Sequence, residues 1–316
     1  MNYLPMNDNA ARQLIDSTTV FGEFRRVMTL SRKFSGGMYW KQQGEYSYLV
    51  RTLPDNRQHR IGARTPDNER IYENFVREKA EVEDRVRSLR AAMVDAERLN
   101  KALKVGRVPQ LAVAVLQALD DAGLGGHFTV VGTYALYAYE SAAGVRIIQN
   151  ALATQDVDLL WDARKRVQFA TDIEKLDSSI LRLLQRVDKT FERKEGNNET
   201  AINARGFEVD FLRRQPEGDD PHPFRFSEDE GDIWPVQAQR ASVLTTAPRF
   251  AHVVVSATGR MALMRTIAPQ VFVDFKRWLA EKAPNRLEIK RNRDRLQADI
   301  VQELLDARML LSEAAG

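Results

Sequence analysis

The 316-residue sequence contains no cysteine. That removes disulfides, thiol nucleophiles and cysteine-ligated zinc, and it suits a reducing compartment. Histidine is scarce: His59, His127, His222 and His252 are the four, and none stands at the spacing of a paired metal ligand. A metal here would be held by oxygen and be hard, Mg²⁺ or Mn²⁺ rather than Zn²⁺. No apolar run is long enough to cross a bilayer, and the opening residues lack the basic-then-apolar order of a secretory signal. A cytoplasmic location without a membrane partner is the expectation. Repeats and low-complexity tracts are also missing. What remains is globular in character, 43% hydrophobic and 29% charged. The net charge of +3 does not by itself indicate nucleic acid, because balanced Arg/Glu helices give the same total.

Taken in order, residues 1–35 carry apolar positions at helical spacing (Leu14, Phe21, Phe24, Val27, Met28, Leu30) and predict a helix. After Ser35-Gly36-Gly37, the runs Met38-Tyr39-Trp40 and 46–51 predict a β-hairpin, followed by Arg51, Arg57, His59, Arg60 and Arg64. Aromatics among arginines either pack on a neighbouring helix with the charges solvated, or stack on bases and bind phosphates. A long helix is expected from Thr65-Pro66-Asp67 to about Lys104, its dense charges reading as a solvated face. Residues 105–109 are the best boundary. This predicts a helical N-terminal arm with a hairpin over 1–108, a core over 109–268 and a helical C-terminal segment over 269–316.

Within the core a helix, a short apolar strand at Phe128-Thr129-Val130-Val131, a Gly132-Thr133 turn and a second helix lead to Asp156-Val157-Asp158-Leu159-Leu160-Trp161. On a strand, Asp156 and Asp158 share one face and Val157, Leu159 and Trp161 the other. Two carboxylates on one face of a buried strand are costly unless a cation sits between them, and a divalent metal is the simplest. Farther on, Gly206-Phe207-Glu208-Val209-Asp210-Phe211-Leu212 alternates as a strand bearing Asp210. Asp162 reads as a cap for the next helix. Helices are expected over 163–170 and 172–184, a long acidic loop that could serve as a lid over 213–232, strands near 250–255 and 261–264, and closing helices over 270–283 and 287–313.

The ordered set VVGT, TQDVDLL and FEVDFL resembles the nucleotidyltransferase superfamily, with its polymerase-β-like fold. It is similar in particular to a bacterial branch of stand-alone nucleotidyltransferase-domain proteins of uncertain substrate. Thr133 stands where that family usually has Ser or Gly, and the interval from Gly132 to Asp156 is longer than in compact members. An extra loop over 143–154, containing Arg146, is therefore expected, either lining the nucleotide site or serving as a connection. The resemblance implies an α+β fold, a mixed β-sheet core flanked by helices with helical additions at both ends. It implies that Asp156, Asp158 and Asp210 hold metal and are catalytic, with two ions about 3.5–4 Å apart flanking the reacting phosphate. Gly132 and Thr133 would cradle the nucleotide, since glycine admits a tight turn and a helix N-terminus favours anions. Lys276, on a helix with an apolar-x-x-Lys pattern, would reach the triphosphate or be an ordinary exposed lysine. The implied reaction moves a nucleoside monophosphate from an NTP to an acceptor hydroxyl, with Mg²⁺ or Mn²⁺ as cofactor, pyrophosphate as product and RNA, protein or a small molecule as acceptor. Two other readings stand beside it. A DxD glycosyltransferase needs no third acidic strand, and a non-catalytic, antitoxin-like binding protein would use the basic hairpin instead.

Overall fold

The first element is a strand, Tyr3–Pro5 (β1), not the start of a helix. It pairs antiparallel with residues 145–147, and only then does Asp8–Ser31 (α1) begin. The computed structural model describes residues 2–176, 178–216 and 224–310. The chain divides into two compact units, Arg12–Leu103 and the combination of Met1–Ala11 with Lys104–Gly316.

In the smaller unit α1 is followed by three strands, Gly37–Gln43 (β2), Tyr46–Thr52 (β3) and Gln58–Ala63 (β4), and by the long helix Pro66–Ala102 (α2). The sheet order is β2-β3-β4, all antiparallel. The expected hairpin is thus a three-stranded sheet, whose last strand is formed by the Arg- and His-bearing run that follows the hairpin. Thr65 caps α2, its hydroxyl accepting from the Asn68 amide at 3.3 Å, and Pro66 fills the first turn, where no donor is lost. Val27 of α1 packs with Val82 and Val86 of α2. A buried polar cluster lies alongside, with Ser17 Oγ donating to Asn100 Oδ1 at 2.6 Å. One sheet face rests on α2: the Trp40 and Tyr72 rings lie 6.0 Å apart, and the Arg51 guanidinium sits 4.4 Å over Phe75.

The larger unit continues with Gln110–Asp121 (α3), Phe128–Val131 (β5), Ala135–Ala143 (α4), Val145–Ile147 (β6), Gln149–Leu152 (α5) and Asp156–Trp161 (β7). Next come Arg166–Leu176 (α6), Ile180–Val187 (α7), Glu192–Arg193 (β8), Thr200–Ile202 (β9), Glu208–Arg213 (β10) and Val236–Gln237 (β11). Ala241–Thr246 (α8), Arg249–Val255 (β12), Met261–Ile267 (β13), Pro269–Glu281 (α9) and Glu288–Asp306 (α10) complete it. The central sheet is mixed, β5-β7-β10-β9-β8, with β11 beside the end of β10. It runs antiparallel at β5/β7 and parallel at β7/β10. Helices pack around it, so the α+β architecture with a mixed sheet holds.

Local departures have local causes. The expected loop over 143–154 folds as β6 and α5. Arg146 donates to the Lys104 and Val105 carbonyls and pairs with Glu140, which accounts for its side chain as a brace. Helix α6 continues to Leu176, past the break expected at 171, and α7 starts at Ile180, where Ser179 caps it by accepting from Arg182 N. Part of the acidic loop, 217–223, and the last residues of the expected final helix, 311–313, lie outside the described residues. Described acids of that loop are not all solvated. Asp232 is fully buried and accepts from the amides of Ile180 and Leu181, at 3.2 and 2.9 Å, and from Ser227 Oγ at 2.7 Å. It satisfies amides at the start of α7 that have no partner within the helix, from a distant part of the chain. Replacing Asp232 with Ala should lower unfolding free energy by about 2 kcal/mol, the scale of hydrogen bonds to a charged group, as read by urea denaturation. An unchanged midpoint would show that the contact contributes nothing.

Candidate active site

Strand β7 lies between β5 and β10, and its sequence explains that position. Val157, Leu159 and Trp161 are buried on one face, and Leu160 is buried as well, so past Asp158 the strand is apolar on both sides. The acids come at its beginning. In the parallel register Asp210 of β10 stands directly beside Asp158, and Glu208 beside Asp156. Antiparallel β5 places Val131, and hence the Gly132 turn, against Asp158. Carboxylate oxygens of Asp156, Asp158 and Asp210 all lie within 4.8 Å of one another.

Such proximity has an electrostatic cost. Burial, and then the charges of Asp156 and Asp210, push the Asp158 carboxyl up to about 7, against the pull of Lys276 and Arg286. Burial also raises Asp210, which the Thr200 hydroxyl opposes and Asp156, Glu208 and Glu199 reinforce. Thr200 Oγ1 donates to Asp210 Oδ1 at 2.6 Å, and the Thr154 hydroxyl donates to Asp156. Three partly buried carboxylates this close together could hold a metal ion.

Gly132 has φ 67°, and a Cβ on it would collide with the Asp158 carboxylate. Only glycine lets the turn come this close. The expected nucleotide-binding residues are placed differently from one another. Thr133 is buried, and its hydroxyl accepts from Gln297 Nε2 of α10 at 3.1 Å; the same amide donates to the Ala151 carbonyl at 2.7 Å. Lys276 is not an exposed helical lysine: it is 3% exposed, and its ammonium donates to Asp294 Oδ1 at 2.9 Å. Arg286 Nε reaches the other oxygen of Asp294 at 2.6 Å. Burial lowers the Lys276 pKa, against the pull of Asp294 and Asp158, so its charge bears on the triad although its hydrogen bond goes elsewhere. The structure thus brings Asp156, Asp158, Asp210 and Gly132 together, with Lys276 behind them. Glu208 is engaged by Lys194 at 2.6 Å.

Sequence reading missed Thr154, Thr200, Gln297, Asp294 and Arg286 as neighbours of this site. Thr154 alone had a signal, lying two residues before Asp156. The others come from strand register, from α10 and, for Arg286, from the connection just before α10, which no spacing reveals.

The profile of a family described as Nucleotidyltransferase matches residues 110–315, well over half of the chain. The chain belongs to the nucleotidyltransferase family. No curated protein and no solved structure matches it. The match covers the strand-turn-helix around Gly132, both acidic strands and the two closing helices, so the acidic site belongs to the nucleotidyltransferase domain itself. Nucleotidyl transfer is the reaction class that goes with this family. Among the described residues no helix is long and apolar enough to cross a membrane.

One residue just past β7 links this domain to acid stability. Asp162 is buried, caps the turn at Ala163–Lys165 by accepting from Arg164 N at 3.2 Å, and pairs with the side chains of Arg164 and Arg249 at 2.8 and 3.1 Å. Burial alone would raise its carboxyl, but the hydrogen bonds and charge of Arg164, with Arg249, hold it below the ordinary value. A lowered folded-state pKa stabilises the fold above the unfolded value, and that contribution is lost as pH falls through the folded value. Asp162→Asn in the nucleotidyltransferase should therefore cost about 2 kcal/mol at neutral pH, with a difference from the parent that shrinks below about pH 4. Denaturation midpoints across pH test this, and a difference that widened in acid would refute it.

Proposed function

We propose that this nucleotidyltransferase moves a nucleoside monophosphate from an NTP to an acceptor hydroxyl, releasing pyrophosphate, and requires a divalent cation, Mg²⁺ or Mn²⁺. The observation that carries the reading is the meeting of Asp156, Asp158 and Asp210 on two neighbouring strands beside the Gly132 turn. In this reading Asp156, Asp158 and Asp210 would hold the cation, with Asp210 also facing the acceptor. Bound there, a divalent cation supplies charge neutralisation for the phosphates and polarises the reacting oxygens.

The protein's own contribution is positioning and electrostatics, as phosphoryl-type transfers generally need. The acceptor oxygen forms a bond to the α-phosphorus while the bond from that phosphorus to the β-bridging oxygen breaks, and pyrophosphate departs. Asp210 takes up the hydroxyl proton at Oδ2, the oxygen that Thr200 does not engage. Gly132 lets the triphosphate approach closely, and Thr133, locked by Gln297, keeps the turn in one shape. Lys276 balances charge on Asp158 from the interior. A DxD glycosyltransferase would leave Asp210 without a role, and a non-catalytic protein would have no need of three clustered carboxylates.

Incubation with each α-labelled NTP and cell extract, with and without Mn²⁺ or Mg²⁺, should give metal-dependent labelled product. Asp158→Asn should reduce incorporation by about 10³-fold, since Lewis-acid stabilisation amounts to several kcal/mol. The same substitution should keep the melting temperature in metal-free buffer but remove the upward shift that Mn²⁺ produces in the parent. Gly132→Ala should also lose incorporation, through its clash with Asp158. Full activity of an Asp156→Asn/Asp158→Asn double variant would sink the proposal.

A further inference from the structure

The β2-β3-β4 sheet of the smaller unit has two faces, and only one is accounted for by packing. Directly opposed residues share a face, so the register assigns the rows on either side of a bulge at Ile61, between the Leu49 and Val50 pairings. Trp40, Leu49 and Gly62 form one row, and Met38, Arg51 and His59 another, on the face that meets α2 through Trp40 and Arg51. The rows on the other face are Tyr39, Val50 and Arg60, and Lys41, Tyr48 and Ala63, flanked by Gln43 with Tyr46 and by Thr52 with Gln58.

This second face has a distinctive chemistry. Tyr39 is 37% exposed and Tyr46 65% exposed. The Tyr46 and Tyr48 rings lie 6.5 Å apart along the strand, and the Arg60 guanidinium sits 3.1 Å over Tyr48. Lys41, Gln43, Tyr48, Val50, Gln58 and Arg60 line a hollow of about 330 Å³. No residue in any of the three strands is acidic, so the cations of this face have no carboxylate partner among them.

We infer that this sheet face binds single-stranded RNA. Tyrosine rings on a sheet surface offer stacking platforms to unpaired bases, and Lys41 and Arg60 offer charge to the phosphates between them. A folded protein partner would need a closely packed apolar patch, and here the one aliphatic side chain in the hollow, Val50, is buried at its floor. Double-stranded nucleic acid hides its bases from such platforms. RNA rather than DNA is chosen because the Gln43 and Gln58 amides, at opposite ends of the hollow, can both donate to and accept from a ribose 2′-hydroxyl. The binding surface stands independently of the transfer reaction; only the further step, that the bound strand is the acceptor, rests on it.

The test is fluorescence anisotropy of the full chain with a short mixed-sequence single-stranded RNA, carried out without NTP. Tyr39→Ala/Tyr46→Ala should weaken binding at least tenfold, while Tyr39→Phe/Tyr46→Phe, which keeps the rings, should bind like the parent. Lys41→Gln/Arg60→Gln should weaken binding and flatten the dependence of log affinity on log salt by about 0.7 for each phosphate no longer neutralised. Asp158→Asn should bind RNA as the parent does, so that failure of transfer and failure of binding are read separately. The proposal is overturned if the parent does not bind, if the tyrosine-to-alanine variant binds as tightly, or if heparin competes as well per charge as RNA. Equal affinity for the deoxy strand of the same sequence would overturn the choice of RNA.

Discussion

Mutual repulsion among Asp156, Asp158 and Asp210 is the constraint to which the larger unit is built. In water three carboxylates at this separation would tolerate one another. At the beginning of β7 and the middle of β10, with apolar neighbours and little solvent, each additional negative charge is resisted. The apolar stretch from Leu159 to Trp161 makes β7 a central strand, and that anchoring keeps the acids from moving apart. The fold therefore retains a demand for positive charge that its own side chains answer only partly.

That partial answer is informative. A lysine placed directly on Asp158 would cancel the demand and leave nothing for a cation to do. Instead Lys276 is held back by Asp294, which it shares with Arg286. The arrangement lowers the cost of concentrating the acids without occupying the space between them. Burying Lys276 and Asp294 together is tolerable because each is the other's partner, and Arg286 covers the second carboxylate oxygen. The positive charge remains close, but it is committed.

Much of this was legible in the residues. Period-two alternation located β7 and β10, the Gly-Thr pair located the turn, and Thr65-Pro66 located the start of α2, because each signal depends on a few adjacent residues. Illegible features share a different origin. The β1/β6 pairing is invisible because Tyr3–Pro5 is short and its partner lies far along the chain. Strand β4 is equally hidden, because Gln58–Ala63 is exposed almost throughout and so lacks an apolar rhythm. Asp232 looked like one more loop acid, since nothing near it in sequence marks the helix it caps. The same holds at the site: Asp156 and Asp158 announce themselves as a pair, whereas Thr200 reaches Asp210 only through strand register, and Gln297 reaches Thr133 only through the placement of α10.

Helix α10 holds Asp294 and Gln297 three residues apart, neighbours on one side of the helix. One meets Lys276, and through it the field at Asp158; the other fixes Thr133 and the carbonyl of Ala151. Charge balance and turn shape are thereby carried by a single helix. A slip of α10 by one residue would turn both side chains by roughly 100° and release both functions at once. Any change that re-registers α10 therefore reaches the acids and the turn together.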